Sequence, residues 1–157
     1  MTYDEFILDP LPADEESALF REQAPHYLLC FNDACPLSVH CMHWLVGRHA
    51  DVCGTVVHVV NPRHPSVQDG ECRHFREKLR VAMKTGMRNF YADMSGCQEH
   101  AIRTRLIEIF NRRVYYAMRN GQRLITPEEQ QTIADVCRQH GWTGPLAFDS
   151  ERADYLW

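Results

Sequence analysis

No run of about 18 uncharged apolar residues occurs in this 157-residue chain, which excludes a membrane-spanning helix. A glycine-rich phosphate loop, a G-x-S-x-G elbow and an H-E-x-x-H pair are all missing, so no familiar catalytic motif marks an active site. There are no internal repeats and no low-complexity segments. The opening residues, Met1 to Glu5, are acidic where a secretory leader would be basic and then apolar, so a cytoplasmic protein is expected. Paired Cys-x2-Cys knuckles are absent too, although the chain holds seven cysteines.

What is present is ordinary material for a core, with 45% apolar and 24% charged residues. The length suits one domain spanning residues 1–157. Charge is unevenly placed. Residues 1–72 carry 3 basic and 11 acidic groups, residues 73–123 carry 12 basic and 4 acidic, and residues 124–157 carry 2 and 6. The basic middle either faces an anionic partner or neutralises the chain's own acidic ends.

Hydrophobic periodicity and punctuation predict a helix over 14–24 ended by Pro25, and a strand over 26–31. A second helix is expected from Pro36 to Val46 with Cys35 as its cap, and a central strand over Val52–Val60. Pro62 to Gly70 reads as a loop, and 71–85 as a helix closed by Gly86. One long helix is expected over 98–119, with Ile102, Leu106, Ile109 and Met118 on its apolar face. Thr126, Pro127 and Glu129 give a strong helix start, and the apolar end, Tyr155 to Trp157, should dock. The resulting fold class is α+β, a single domain with four or five helices packed on a small β-sheet.

An odd number of cysteines without an export signal favours reduced thiols. Cys30, Cys35 and Cys41 crowd together, and Cys72 opens the next predicted helix after a strand and turn. Four soft ligands drawn from separated segments suit a structural metal, zinc first and an iron–sulfur cluster second. The alternative is four thiols that simply fill core positions. His40 and His43 could replace a cysteine, and His74 lies close to Cys72 in sequence.

Two further readings stay open. Arg105, Arg112 and Arg119 recur every seven residues, and Phe90, Tyr91, Tyr115 and Tyr116 could stack bases, which would make helices over 73–119 a nucleic-acid surface. Cys35 at a helix start would be an acidified thiol and the candidate nucleophile of a thiol-dependent enzyme. No catalytic residue is otherwise assigned, and the leading expectation is a non-enzymatic binding domain whose partner is a protein or a nucleic acid, not a membrane.

The order Cys30-x4-Cys35-Pro36-x4-Cys41, Asn61-Pro62, Cys72-x2-Phe75 and Phe148-Asp149 before Tyr155-x-Trp157 resembles an uncharacterised family of small bacterial cysteine-containing proteins, a domain of unknown function. The resemblance runs from about residue 26 to the end. It implies a bacterial intracellular protein and leaves the mechanism open.

Overall fold

Among the described residues, five α-helices and two strands follow one another: α1 Ala13–Gln23, α2 Met42–Gly47, β1 Arg80–Thr85, α3 Gly96–Phe110, α4 Arg112–Arg119, α5 Pro127–Gln139 and β2 Ser150–Tyr155. The structure is a computed structural model and describes residues 3–67 and 71–157. Helices together with a two-stranded sheet make the fold α+β. The chain divides into two compact units, Met1–Leu8 with Arg80–Asp154, and Asp9–Leu79 with Tyr155–Trp157.

The first unit is built from β1, α3, α4, α5 and most of β2. The Asp149 amide donates to the Gly86 carbonyl at 3.1 Å, and the strands run antiparallel from there. Gly86 has φ +73°, and a Cβ there would stand 2.1 Å from Asp149 Oδ2, so only glycine fits this corner. Ser95 and Gln98 cap α3 reciprocally, and Thr126 and Glu129 do the same for α5. Ile102, Leu106, Met118 and Ile125 are fully buried, with Ile133 and Val136 packed into the same cluster. The Tyr91 and Tyr115 hydroxyls meet at 3.0 Å inside it.

The long helix expected over 98–119 is two helices. Asn111 sits at φ 63° and its Oδ1 accepts from the Val114 amide at 3.0 Å, ending α3 and capping α4 in one residue. Asparagine tolerates the left-handed region and caps well, so it breaks a helix that periodicity alone would continue. Ile109, expected on the apolar face, lies in the last turn of α3 and is 42% exposed.

The helix expected over 71–85 is also corrected. Residues 71–79 are irregular and 80–85 form β1, so the basic segment becomes helical only from Gly96. Val81 and Met83 are buried while their neighbours are half-buried, which is strand alternation and not a helical stripe.

The second unit is less regular. Phe20, Leu29, Met42, Val46 and Tyr155 form its core, and Phe20 meets Tyr155 edge-on at 5.5 Å and Trp157 at 6.0 Å. Glu16 accepts from Lys78 Nζ at 3.1 Å through both oxygens and from the Tyr155 hydroxyl, so the docked C-terminus is tied by charge as well as by area. Only α1 and α2, of 11 and 6 residues, are regular helices here.

The strands expected over 26–31 and 52–60 do not form. They meet only in one parallel bridge, Leu29 to Val59, where the Leu29 amide donates to the His58 carbonyl and the Val60 amide to the Leu29 carbonyl. Val56 is 89% exposed. β-branched residues favour strands because they pack on a pleated surface, and here no neighbouring sheet supplies one. The loop expected over 62–70 contains a short 3-10 turn, Pro65–Val67, and its end at 68–70 lies outside the described residues.

Candidate functional site: a thiol cluster

The four cysteines lie on segments that the backbone ties together. The Cys30 amide donates to the His43 carbonyl at 2.9 Å. Cys41 bridges Glu77 in antiparallel fashion, with the Met42 amide on the Arg76 carbonyl at 2.8 Å and the Lys78 amide on the His40 carbonyl at 2.9 Å. Cys72 begins a turn closed by the Phe75 amide, and Cys35 sits in the turns between Asn32 and Ser38. Gly47, the last residue of α2, lets the helix approach Cys30, since a Cβ there would lie 2.5 Å from the Cys30 carbonyl oxygen.

Cysteine 35 does not cap a helix. A 3-10 turn over Ser38–His40 follows it, and α2 starts later, with Cys41 at its N-cap and no side-chain cap bond. Pro36 suits a first helical turn, but the chain there closes three-residue hydrogen bonds instead. The argument for an acidified nucleophile at Cys35 therefore loses its basis.

Electrostatics link the four sulfurs. Burial pushes the Cys30 thiol above its ordinary value, a hydrogen bond with the Asn32 backbone opposes this, and negative charge on Cys41, Cys35 and Cys72 raises it further. Cys41 is buried and the other three are half-buried. As they stand, no three His, Cys, Asp or Glu side chains among the described residues are placed to hold a metal ion. Cys30 thus feels charge on the other three predicted residues, and no coordination shell is formed among the described residues.

Two residues beside the cluster were not singled out as supports by the sequence. His43 Nδ1 donates to the Leu28 carbonyl at 2.6 Å, and its ring stacks on Tyr27 at 5.0 Å. Burial lowers the His43 pKa, with the Leu28 carbonyl opposing and Arg76 and His74 pushing the same way as burial. Its ring is thereby a neutral strut between segments, with one nitrogen already committed. The Tyr27 hydroxyl is buried with no hydrogen-bond partner among the described residues; burial raises its pKa, Arg76 opposes this, and negative charge on Cys41 adds to burial. Nothing in the spacing of His43 or Tyr27 could have signalled these roles.

The remaining cysteines are separate. Cys53 is half-buried, Cys97 is exposed, and Cys137 is buried in the first unit, where burial pushes its thiol up to about 11.

The matching family covers residues 13–157 and is described as a family of unknown function, DUF6078. The chain belongs to this family. No curated protein and no solved structure matches it. In this DUF6078 chain the arginine row is divided between two helices. Arg105 is on α3 and pairs with Glu108 at 3.0 Å, Arg112 opens α4 over the Tyr116 ring at 5.4 Å, and Arg119 lies close enough to the buried Tyr115 to lower its pKa against the larger effect of burial. Phe90, Tyr91 and Tyr115 are core residues, which removes most of the expected base-stacking set. No helix among the described residues is long and apolar enough to cross a membrane.

Proposed function

We propose that this DUF6078 protein is a non-enzymatic binding module whose second unit is closed by one zinc ion on Cys30, Cys35, Cys41 and Cys72. The observation that carries the reading is electrostatic: ionising Cys30 is opposed by charge on the other three sulfurs, drawn from separate segments. A divalent cation would relieve the opposition to charge on Cys30, and binding to thiolates releases their protons. Thiolate ligands at about 2.3 Å from the ion require the sulfurs to draw inward, which the loops bearing Cys35 and Cys72 permit. The orphaned Tyr27 hydroxyl is then the donor available to a bound Cys41 thiolate, a supporting contact of the kind metal sites commonly use.

A physical need supports the same reading. The second unit has two short helices, no closed sheet and a small core, and units of that kind are commonly stapled by a metal. The test is metal content of protein purified without chelator, followed by cobalt substitution. One zinc per chain, and a thiolate-to-cobalt charge-transfer band that weakens in Cys72→Ser but not in Cys97→Ser, is the expected result. Protein that carries no metal, takes up none on reconstitution and melts identically with chelator overturns the proposal.

A further inference from the structure

The first unit contains a cavity of about 630 Å³, within the range that small-molecule sites occupy. Its walls include the rings of Phe6, Trp142 and Phe148. Trp142 is held in place from two sides: its Nε1 donates to the Pro145 carbonyl at 3.3 Å, and a Cβ on Gly144 would stand 2.4 Å from its ring.

Polar side chains at the cavity include Gln130, Gln131 and Thr143 beside four charged residues, and Gln131 Nε2 donates to Asp135 at 3.0 Å. Gln130 is 6% exposed, and its Nε2 donates to the Ala82 carbonyl at 3.1 Å and to the Ile125 carbonyl at 3.0 Å. Both amide hydrogens are used, which fixes the side chain's orientation and leaves Oε1 as its open acceptor. That oxygen has no donor in the structure, yet it is not among the sealed, unsatisfied atoms, so it opens to the cavity that Gln130 lines. Of the charged residues at the cavity, Lys84 pairs with Glu151 and Arg138 with Asp135. Glu5, an exposed residue, makes no ion pair with a described residue.

We infer that this cavity binds a small apolar amine, its flat body against the three aromatic rings and its donor on Gln130 Oε1, with Glu5 favouring the protonated form. An acceptor without a donor and a carboxylate without a cation both ask for the same ligand chemistry, and aromatic walls favour a cation beside them. An acid of the same shape would meet the Gln130 acceptor and the Glu5 charge, while Lys84 and Arg138 are held by Glu151 and Asp135, so the amine is preferred. All the lining residues belong to the first unit, so the inference stands whether or not zinc binds the second.

The experiment is calorimetric or ligand-observed NMR titration of the full chain with tryptamine, 3-methylindole and indole-3-acetate. Tryptamine should bind tightest and the acid weakest. Glu5→Gln should narrow the amine-over-acid ratio by about threefold, the scale of a partly exposed ion pair. Ala134→Phe, which fills the cavity from α5, should abolish tryptamine binding while circular dichroism and melting show a folded protein. If Ala134→Phe does not fold, Ala134→Leu replaces it as a smaller filling and should weaken tryptamine binding. Equal or preferred binding of indole-3-acetate, tryptamine binding that survives Ala134→Phe, or no tryptamine binding at millimolar concentration overturns the inference.

Discussion

The two units solve the same problem by different means. In the first, helices of 15, 8 and 13 residues begin on side-chain caps and bury a continuous apolar cluster. In the second, α1 and α2 begin on Pro12 and Cys41 with no side-chain cap bond, and isolated bridges stand in for a sheet. Local signals and packing agree in the first unit, so it needs no outside help. The second relies on contacts between segments far apart in sequence: Glu16 with Lys78 and Tyr155, Cys41 with Glu77, and Leu29 with Val59. Each such contact closes a long loop at an entropic cost, and a bound ion offsets that cost by joining several segments at once.

The largest effect expected from this contrast is metal removal. Chelation should abolish hydrogen-exchange protection across residues 28–78 and leave α3 and α5 protected; equal loss in both units would erase the distinction. Next comes Leu106→Ala. Leu106 is fully buried, and truncation there should cost about 2–5 kcal/mol. Chemical denaturation of the zinc-loaded protein measures it, with metal content unchanged. A cost under about 1 kcal/mol would mean that this core is looser than its burial indicates.

The same contrast explains what could be read in advance. α1, α5 and the docked terminus were legible, because caps, periodicity and a cluster of large apolar groups are local features. Asn111 concealed its break because its neighbours Phe110 and Val114 keep helical spacing. Residues 52–60 look like a strand in every local respect and lack only a partner, which no local pattern reports. The four cysteines stand out in sequence by their crowding, but the backbone ties between their segments, Met42 to Arg76 and Cys30 to His43, are invisible in spacing. The Gln130 acceptor was not legible at all, since it emerges only when both its amide hydrogens are found occupied.

Cys137 supplies a pH-dependent test confined to the first unit. Burial pushes its thiol up to about 11, so the folded state keeps a proton that the unfolded chain releases near the ordinary value of 9.0. Its contribution to stability is therefore full below pH 9, declines as pH rises and levels off near 11. Cys137→Ala should flatten that alkaline decline in urea-melting free energies measured from pH 8 to 11. In parallel, native alkylation should label the exposed Cys97 quickly and Cys137 only on unfolding. An unchanged alkaline slope in the variant would assign the decline to other groups.

The smallest effect tests whether caps account for the regularity of the first unit. Thr126 Oγ1 accepts from the Glu129 amide at 3.4 Å, Glu129 Oε2 accepts from the Thr126 amide at 2.9 Å, and Arg123 holds the other Glu129 oxygen at 2.7 Å. Thr126→Ala removes one of these three links and should cost about 1 kcal/mol. Asn111 separates cap from strain. Asn111→Ala loses the bond to Val114 and keeps a Cβ at positive φ, for about 2 kcal/mol, whereas Asn111→Gly loses the bond but relieves the strain and should cost a few tenths. Pro12→Ala, at a start with no side-chain cap, has no such bond to lose. If Thr126→Ala and Pro12→Ala proved equally harmless, burial alone would hold the helices of the first unit.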